Sequence, residues 1–127
     1  MKYSLAGTLL VAKLHHISSG CSLIDELLDG GFPVDCVSLV YGEATTGKTT
    51  LAIQTSIECA RDGFKVIYVD ADQSFSHQRL YQMAPSEASE LGRRIVIFLP
   101  ETFSEQSSLI EDLENYLSKV TKLIIVD

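Results

Sequence analysis

Gly42-Glu43-Ala44-Thr45-Thr46-Gly47-Lys48-Thr49 separates a short apolar run, Val37 to Tyr41, from a helix-like run that begins at Thr50. The order is glycine, four residues, glycine, lysine and a hydroxyl residue, a pattern that carries meaning only between a strand and a helix. Its spacing has a chemical reason. Two glycines let the backbone wrap so that successive N–H groups point inward at phosphate oxygens, and the following helix adds the positive end of its dipole. Lys48 is then expected to reach the β and γ phosphates, and the Thr49 hydroxyl to ligate Mg²⁺. The candidate nucleotide-binding residues are therefore Gly42, Glu43, Ala44, Thr45, Thr46, Gly47, Lys48, Thr49 and Thr50.

The chain around this loop has 127 residues, the size of one domain. Its 46% hydrophobic and 21% charged content is ordinary for a folded protein. A net charge of -7 argues against a surface that grips a nucleic-acid backbone broadly, since counterion release needs clustered Lys and Arg; local contacts remain open. Cys21, Cys36 and Cys59 are an odd number at scattered spacings, so neither a disulfide framework nor a zinc site is implied. A reducing, cytoplasmic setting fits that usage. The apolar patch Leu9 to Ala12 is interrupted by Lys13, His15 and His16 too soon for a signal peptide, and residues 1–17 read as an N-terminal extension. The paired histidines lack a third ligand at suitable spacing and read as solvated. No run approaches the length needed to span a bilayer.

Along the chain, Ser22 is expected to cap a short helix with Leu23, Ile24, Leu27 and Leu28 on its apolar face, ended by Gly30 and Gly31. Pro33 is expected to turn the chain into a first strand, Val37 to Tyr41, apolar enough for a parallel strand covered on both faces. Ile53, Ile57 and Ala60 recur at helical spacing, and Asp62-Gly63 closes that helix. Lys65 to Asp70 reads as a second buried strand, Arg79 to Ala84 and Pro85 to Leu91 as short helices, and Ile95 to Leu99 as a third strand. From Thr102 to Val120 the stripe Leu109, Ile110, Leu113, Leu117 and Val120 predicts an amphipathic helix, with Thr102 and Glu105 at capping-box spacing. The alternation predicts an α/β sandwich around a parallel sheet.

Binding a nucleotide and hydrolysing it require different groups. Leu123 to Asp127 is an apolar strand ending in a carboxylate, the form of a Walker B element that holds Mg²⁺ through its water shell. Asp70-Ala71-Asp72 follows the second strand, and the carboxyl ends of parallel strands face the ligand crevice, so either acid could face the γ-phosphate and one could orient the attacking water.

Ser19-Gly20-Cys21 through Leu27-Leu28-Asp29-Gly30-Gly31, Tyr41-Gly42-Glu43, Gly47-Lys48-Thr49, and Tyr68-Val69-Asp70-Ala71-Asp72-Gln73-Ser74-Phe75 with Arg79-Leu80 together resemble the RecA-like recombinase core. Phe98-Leu99-Pro100, Phe103 and Glu105-Gln106 are similar to the archaeal RadB branch of that family. The resemblance covers residues 18–127 and implies a partial RecA-like P-loop NTPase domain, a three-layer sandwich with a mostly parallel sheet. It implies ATP and Mg²⁺ as cofactors, with Thr49 and Asp127 at the metal and Arg79 against adenine. It also implies work on DNA in homologous recombination and repair, recombination proteins as partners, and no membrane.

Two departures qualify that implication. Asp72 stands where the family has a catalytic glutamate, and its carboxylate is withdrawn by roughly 1.5 Å. That loosens its hold on a water that must lie within about 3 Å, so weak hydrolysis is expected. RecA-like cores also continue past the Walker B strand, with a strand that inserts beside the phosphate-loop strand and with the DNA-contacting loops. The chain therefore reads as C-terminally truncated, with a gap in its sheet. Rival readings are a RecA-like ATPase of the circadian-clock type, a degenerate nucleotide-binding module acting through protein contacts, and, more distantly, a small-molecule P-loop kinase.

Overall fold

The computed structural model of the chain describes residues 3–6, 9–12 and 15–127. β1 (Tyr3–Ala6) and β2 (Leu9–Ala12) pair antiparallel, with Tyr3 opposite Ala12 and Ala6 opposite Leu9. β3 (His16–Ile17) pairs antiparallel with β4 (Phe32–Pro33), across α1 (Ser22–Leu27). Of the extension expected at residues 1–17, positions 1, 2, 7, 8, 13 and 14 lie outside the described residues, while Ile17 is buried in the main core.

The start of α1 differs in detail from its sequence reading. Cys21, not Ser22, is the N-cap, and no side chain caps the helix there. Instead Asp25 reaches back: its carboxylate accepts from the Ser18 hydroxyl at 2.6 Å, the Ser19 hydroxyl at 2.6 Å and the Ser19 amide at 2.8 Å. An ionised acceptor inside the first turn ties down the entering chain more firmly than a serine hydroxyl would. Pro33 likewise lies in β4 rather than in a turn, opposite His16.

The main body is built on α2 (Lys48–Arg61), β5 (Lys65–Val69), α3 (His77–Met83), α4 (Ala88–Leu91), β6 (Ile95–Phe98), α5 (Phe103–Glu111), a 3₁₀ turn at Leu113–Tyr116 and β7 (Thr121–Val126). The sheet order is β6-β5-β7, parallel throughout, with Tyr68 beside Ile97 and Ile125. One face carries Val66, Tyr68, Ile95, Ile97, Leu123 and Ile125 against Ile53 and Ile57 of α2 and Leu80, Ala84 and Leu91 of the α3–α4 region. Alternation turns Ile67 and Val69 to the other face, and both are fully buried. There Tyr116 meets Phe98 edge to face, with ring centroids 4.8 Å apart. Each large aliphatic buried here contributes about 1.5 to 3 kcal/mol, so the sheet and α2 hold one another.

Two expected elements are corrected. Val37 to Tyr41 is not a strand: Val37 is 98% exposed, Leu39 83% and Tyr41 86%. A strand exists through its ladder, and among the described residues this segment has no backbone partner, so its apolar composition alone does not extend it into the sheet. The expected helix over Thr102–Val120 stops at Asp112. Lys65 opposes Thr121 in the sheet and its amide donates to the Val120 carbonyl at 2.8 Å, which requires extended chain where the amphipathic period would continue helix. Leu117 is already extended, and Ser118 and Thr121 close a turn, Thr121 N–H to Ser118 carbonyl at 3.0 Å. The capping box forms in modified shape: Thr102 accepts from the Glu105 amide at 3.2 Å, while Glu105 accepts from Glu101, one residue earlier than the box predicts.

Candidate functional site

The loop Gly42 to Gly47 lies on the surface and runs directly into α2. Gly47 is the N-cap at φ 98° and ψ 12°, a left-handed conformation in which any Cβ is strained. Thr45 turns the apex at φ 62°, and the Thr46 hydroxyl closes the turn by donating to the Glu43 carbonyl at 2.8 Å. Lys48 folds back over this turn. Its ammonium donates to the Gly42 carbonyl at 2.9 Å and the Glu43 carbonyl at 2.6 Å, so two of its three donors are used within the loop. The amides of Lys48, Thr49 and Thr50 open α2 without intrahelical partners, as at any helix start. Loop, ammonium and helix terminus together form a concentration of positive potential that suits an anion.

Arg79 joins the far side. Its guanidinium donates to the Thr50 hydroxyl at 2.8 Å, fastening α3 to the first turn of α2. Its own amide is capped by Ser76 at 3.2 Å. Through this bond the phosphate-loop pattern and the turn after β5 occupy the same end of the sheet.

The acids divide into three situations. Asp70 is fully buried, so it cannot face a ligand as its position at a strand end suggested. Its carboxylate accepts from the Phe75 amide at 2.8 Å and the Ser74 amide at 3.0 Å, with the Ser74 hydroxyl 3.2 Å away, and so shapes the turn that follows β5. Asp72 is exposed at that turn and makes no hydrogen bond among the described residues. Asp127 follows β7, half-buried, with its amide on the Val69 carbonyl at 2.9 Å and its carbonyl accepting from the Ala71 amide at 2.9 Å. Its Oδ2 accepts from the Tyr68 hydroxyl at 2.9 Å and the Ser74 hydroxyl at 3.3 Å, while its Oδ1 has no donor among the described residues.

Tyr68 and Ser74 are the members of this cluster that the sequence reading assigned no role. A tyrosine in the middle of an otherwise aliphatic strand needs a partner for its hydroxyl, which was the available signal. Burial, reinforced by the Asp127 carboxylate, pushes the phenol well above its usual range, so it stays a protonated donor. The oxygen donors Thr49 and Asp127 suit Mg²⁺, which takes one or two protein oxygens and otherwise waters and phosphate oxygens. Among the described residues no group of three or more His, Cys, Asp or Glu side chains forms a metal cage, and no helix is long and apolar enough to cross a membrane.

The parallel sheet, its helical layers and the glycine-lysine loop define an α/β protein of RecA-like core, and comparison with known proteins agrees. A model of the Rad51 family matches residues 11–127, and the chain belongs to that family. It is similar to the DNA repair and recombination protein RadB of Thermococcus onnurineus, 41% identical over 114 residues, which are 87% of this chain and 50% of that protein. The protein of the same name from Methanococcoides burtonii is 38% identical over 109 residues, 86% of this chain and 48% of that protein. The crystal structure of the RadB recombinase superposes with a TM-score of 0.77 at 35% identity, covering 87% of this chain and 50% of that one. The chain spans about half the length of the curated relatives it matches.

Proposed function

We propose that residues 18–127 are an ATP-binding domain of a cytoplasmic protein of homologous recombination and DNA repair, with weak hydrolysis. The similarity to RadB proteins supports the process, with DNA and recombination proteins as its partners. The observation that carries the nucleotide reading is the Lys48 ammonium folded over the Gly42–Gly47 turn at the start of α2. That arrangement sets one remaining N–H and the first amides of α2 to receive phosphate oxygens. Thr49 and Asp127 would hold Mg²⁺, which when bound neutralises charge on the β and γ phosphates. Arg79, held against Thr50, stands beside the loop and would pack on the base. Asp72 would orient water weakly, because its short side chain ends at an exposed turn with no supporting hydrogen bond among the described residues. The same exposure favours a second reading, a nucleotide-binding module that acts through protein contacts without turnover.

Thermal melting with and without Mg²⁺-ATP tests the site. At ATP about 100 times its dissociation constant the wild-type chain gains about 2.7 kcal/mol, a rise of about 10 °C for a chain this size. Lys48→Ala abolishes the rise. A folded wild-type sample that shows none refutes nucleotide binding at this loop.

A further inference from the structure

We infer that Tyr68, seconded by Ser74, is a positioning residue that presets the Asp127 carboxylate to receive a divalent metal; this rests on the nucleotide and metal reading above. Both hydroxyls converge on one oxygen, Oδ2, at 2.9 and 3.3 Å, while Oδ1 has no donor among the described residues. A carboxylate fixed in this way presents one oxygen in one direction, whereas an unsupported aspartate samples several rotamers. Tyr68 is itself packed in place. It is fully buried, its ring meets Phe75 edge to face at 4.9 Å, and its phenol has a single proton to give.

Ser74 completes the device through Asp70. The Ser74 hydroxyl lies 3.2 Å from Asp70 Oδ1 and 3.3 Å from Asp127 Oδ2, and its one proton serves only one of them at a time. Asp70 already accepts the Ser74 and Phe75 amides, so the proton is better spent on the Asp127 carboxylate, to which the phenol is the other side-chain donor among the described residues. Asp70 thus acts at one remove: it folds the turn that delivers Ser74. The segment after β5 serves the end of β7, a service that the apolar strand and its terminal acid do not reveal in sequence.

The test is a Mg²⁺ titration at fixed ATP, read as the melting-temperature rise, repeated with Mn²⁺ and read as bound metal by electron paramagnetic resonance. In Tyr68→Phe the concentration of either metal needed for half the effect increases about 10-fold, as for loss of a partner that orients a metal ligand. In Ser74→Ala it increases about 3-fold. A purely structural role lowers the melting temperature without metal and leaves both midpoints where they were. Unchanged midpoints in folded Tyr68→Phe overturn the inference, and if that variant does not fold, an unchanged midpoint in Ser74→Ala does so. A wild type that does not respond to ATP at any Mg²⁺ concentration refutes the nucleotide reading and the inference together. A responsive wild type with insensitive variants refutes the positioning alone.

Discussion

Replacing Asp70 by alanine separates a structural acid from a catalytic one. The carboxylate is fully buried and accepts from the Phe75 amide at 2.8 Å and the Ser74 amide at 3.0 Å, with the Ser74 hydroxyl 3.2 Å away. Asp70→Ala leaves the Phe75 amide without a partner in the interior, where a stranded donor costs about 1 to 3 kcal/mol. The Ser74 groups lie nearer solvent and recover part of their loss through water. The total comes to about 3 to 5 kcal/mol, a large share of the 5 to 15 kcal/mol typical of a domain. For a chain of 127 residues that is a fall in melting temperature of about 10 to 20 °C. Asp70→Asn keeps one carbonyl acceptor but turns an NH₂ toward a backbone N–H, and loses about half as much. The assay is reversible thermal melting followed by circular dichroism, without nucleotide. A fall of less than about 3 °C in Asp70→Ala refutes the anchoring role and returns Asp70 to the candidates for orienting water.

Other perturbations probe separate parts. The Ser18 and Ser19 hydroxyls hold the Asp25 carboxyl below its ordinary value of 3.8, so its contribution is fully present above that value and is lost as pH falls through the lower, folded one. The melting-temperature gap between wild type and Asp25→Asn is therefore constant from pH 7 to about 5 and closes at lower pH; a gap that widens toward acid contradicts this assignment. Burial, with Asp62 nearby, pushes the Cys59 thiol up to about 11, whereas Cys36 is exposed. A thiol reagent at pH 8 should label Cys36 in the native protein and Cys59 only after denaturation, with labelled positions read by peptide mass spectrometry. Asp72→Glu should raise ATP turnover about 10-fold or more by extending the carboxylate toward the water, measured as phosphate release. An unchanged rate removes Asp72 from that role.

Much of the fold and part of the candidate site were legible in sequence because they depend on local rules. The loop spacing, the helical period of Ile53, Ile57 and Ala60, and an acid closing β7 are each set within a few residues. What failed was nonlocal. Val37 to Tyr41 has a strand's composition, but pairing requires a partner elsewhere, and composition cannot say whether one is at hand. The stripe from Leu109 to Val120 has a helix's period, yet alignment of Thr121 with Lys65 decides where the helix stops. The cluster on Asp127 was hidden for the same reason. Tyr68 and Ser74 stand 59 and 53 residues before it, and only the parallel pairing of β5 with β7 brings them together.

That pairing bears on how the site can be held. Among the described residues β7 is bonded to β5 on one side only, and Ile124 and Val126 on its second face are 41% and 50% exposed. The end of β7, where Asp127 sits, is held to β5 and the turn after it. Four bonds hold it there: the Asp127 amide to Val69, the Ala71 amide to Asp127, and the Tyr68 and Ser74 hydroxyls to Oδ2. Two of the four partners, Ala71 and Ser74, lie in the turn shaped by buried Asp70 and the other two in β5, so the neighbouring strand and its turn fix the Asp127 carboxylate. Buried Asp70, through the turn it shapes, therefore helps set where Asp127 is found.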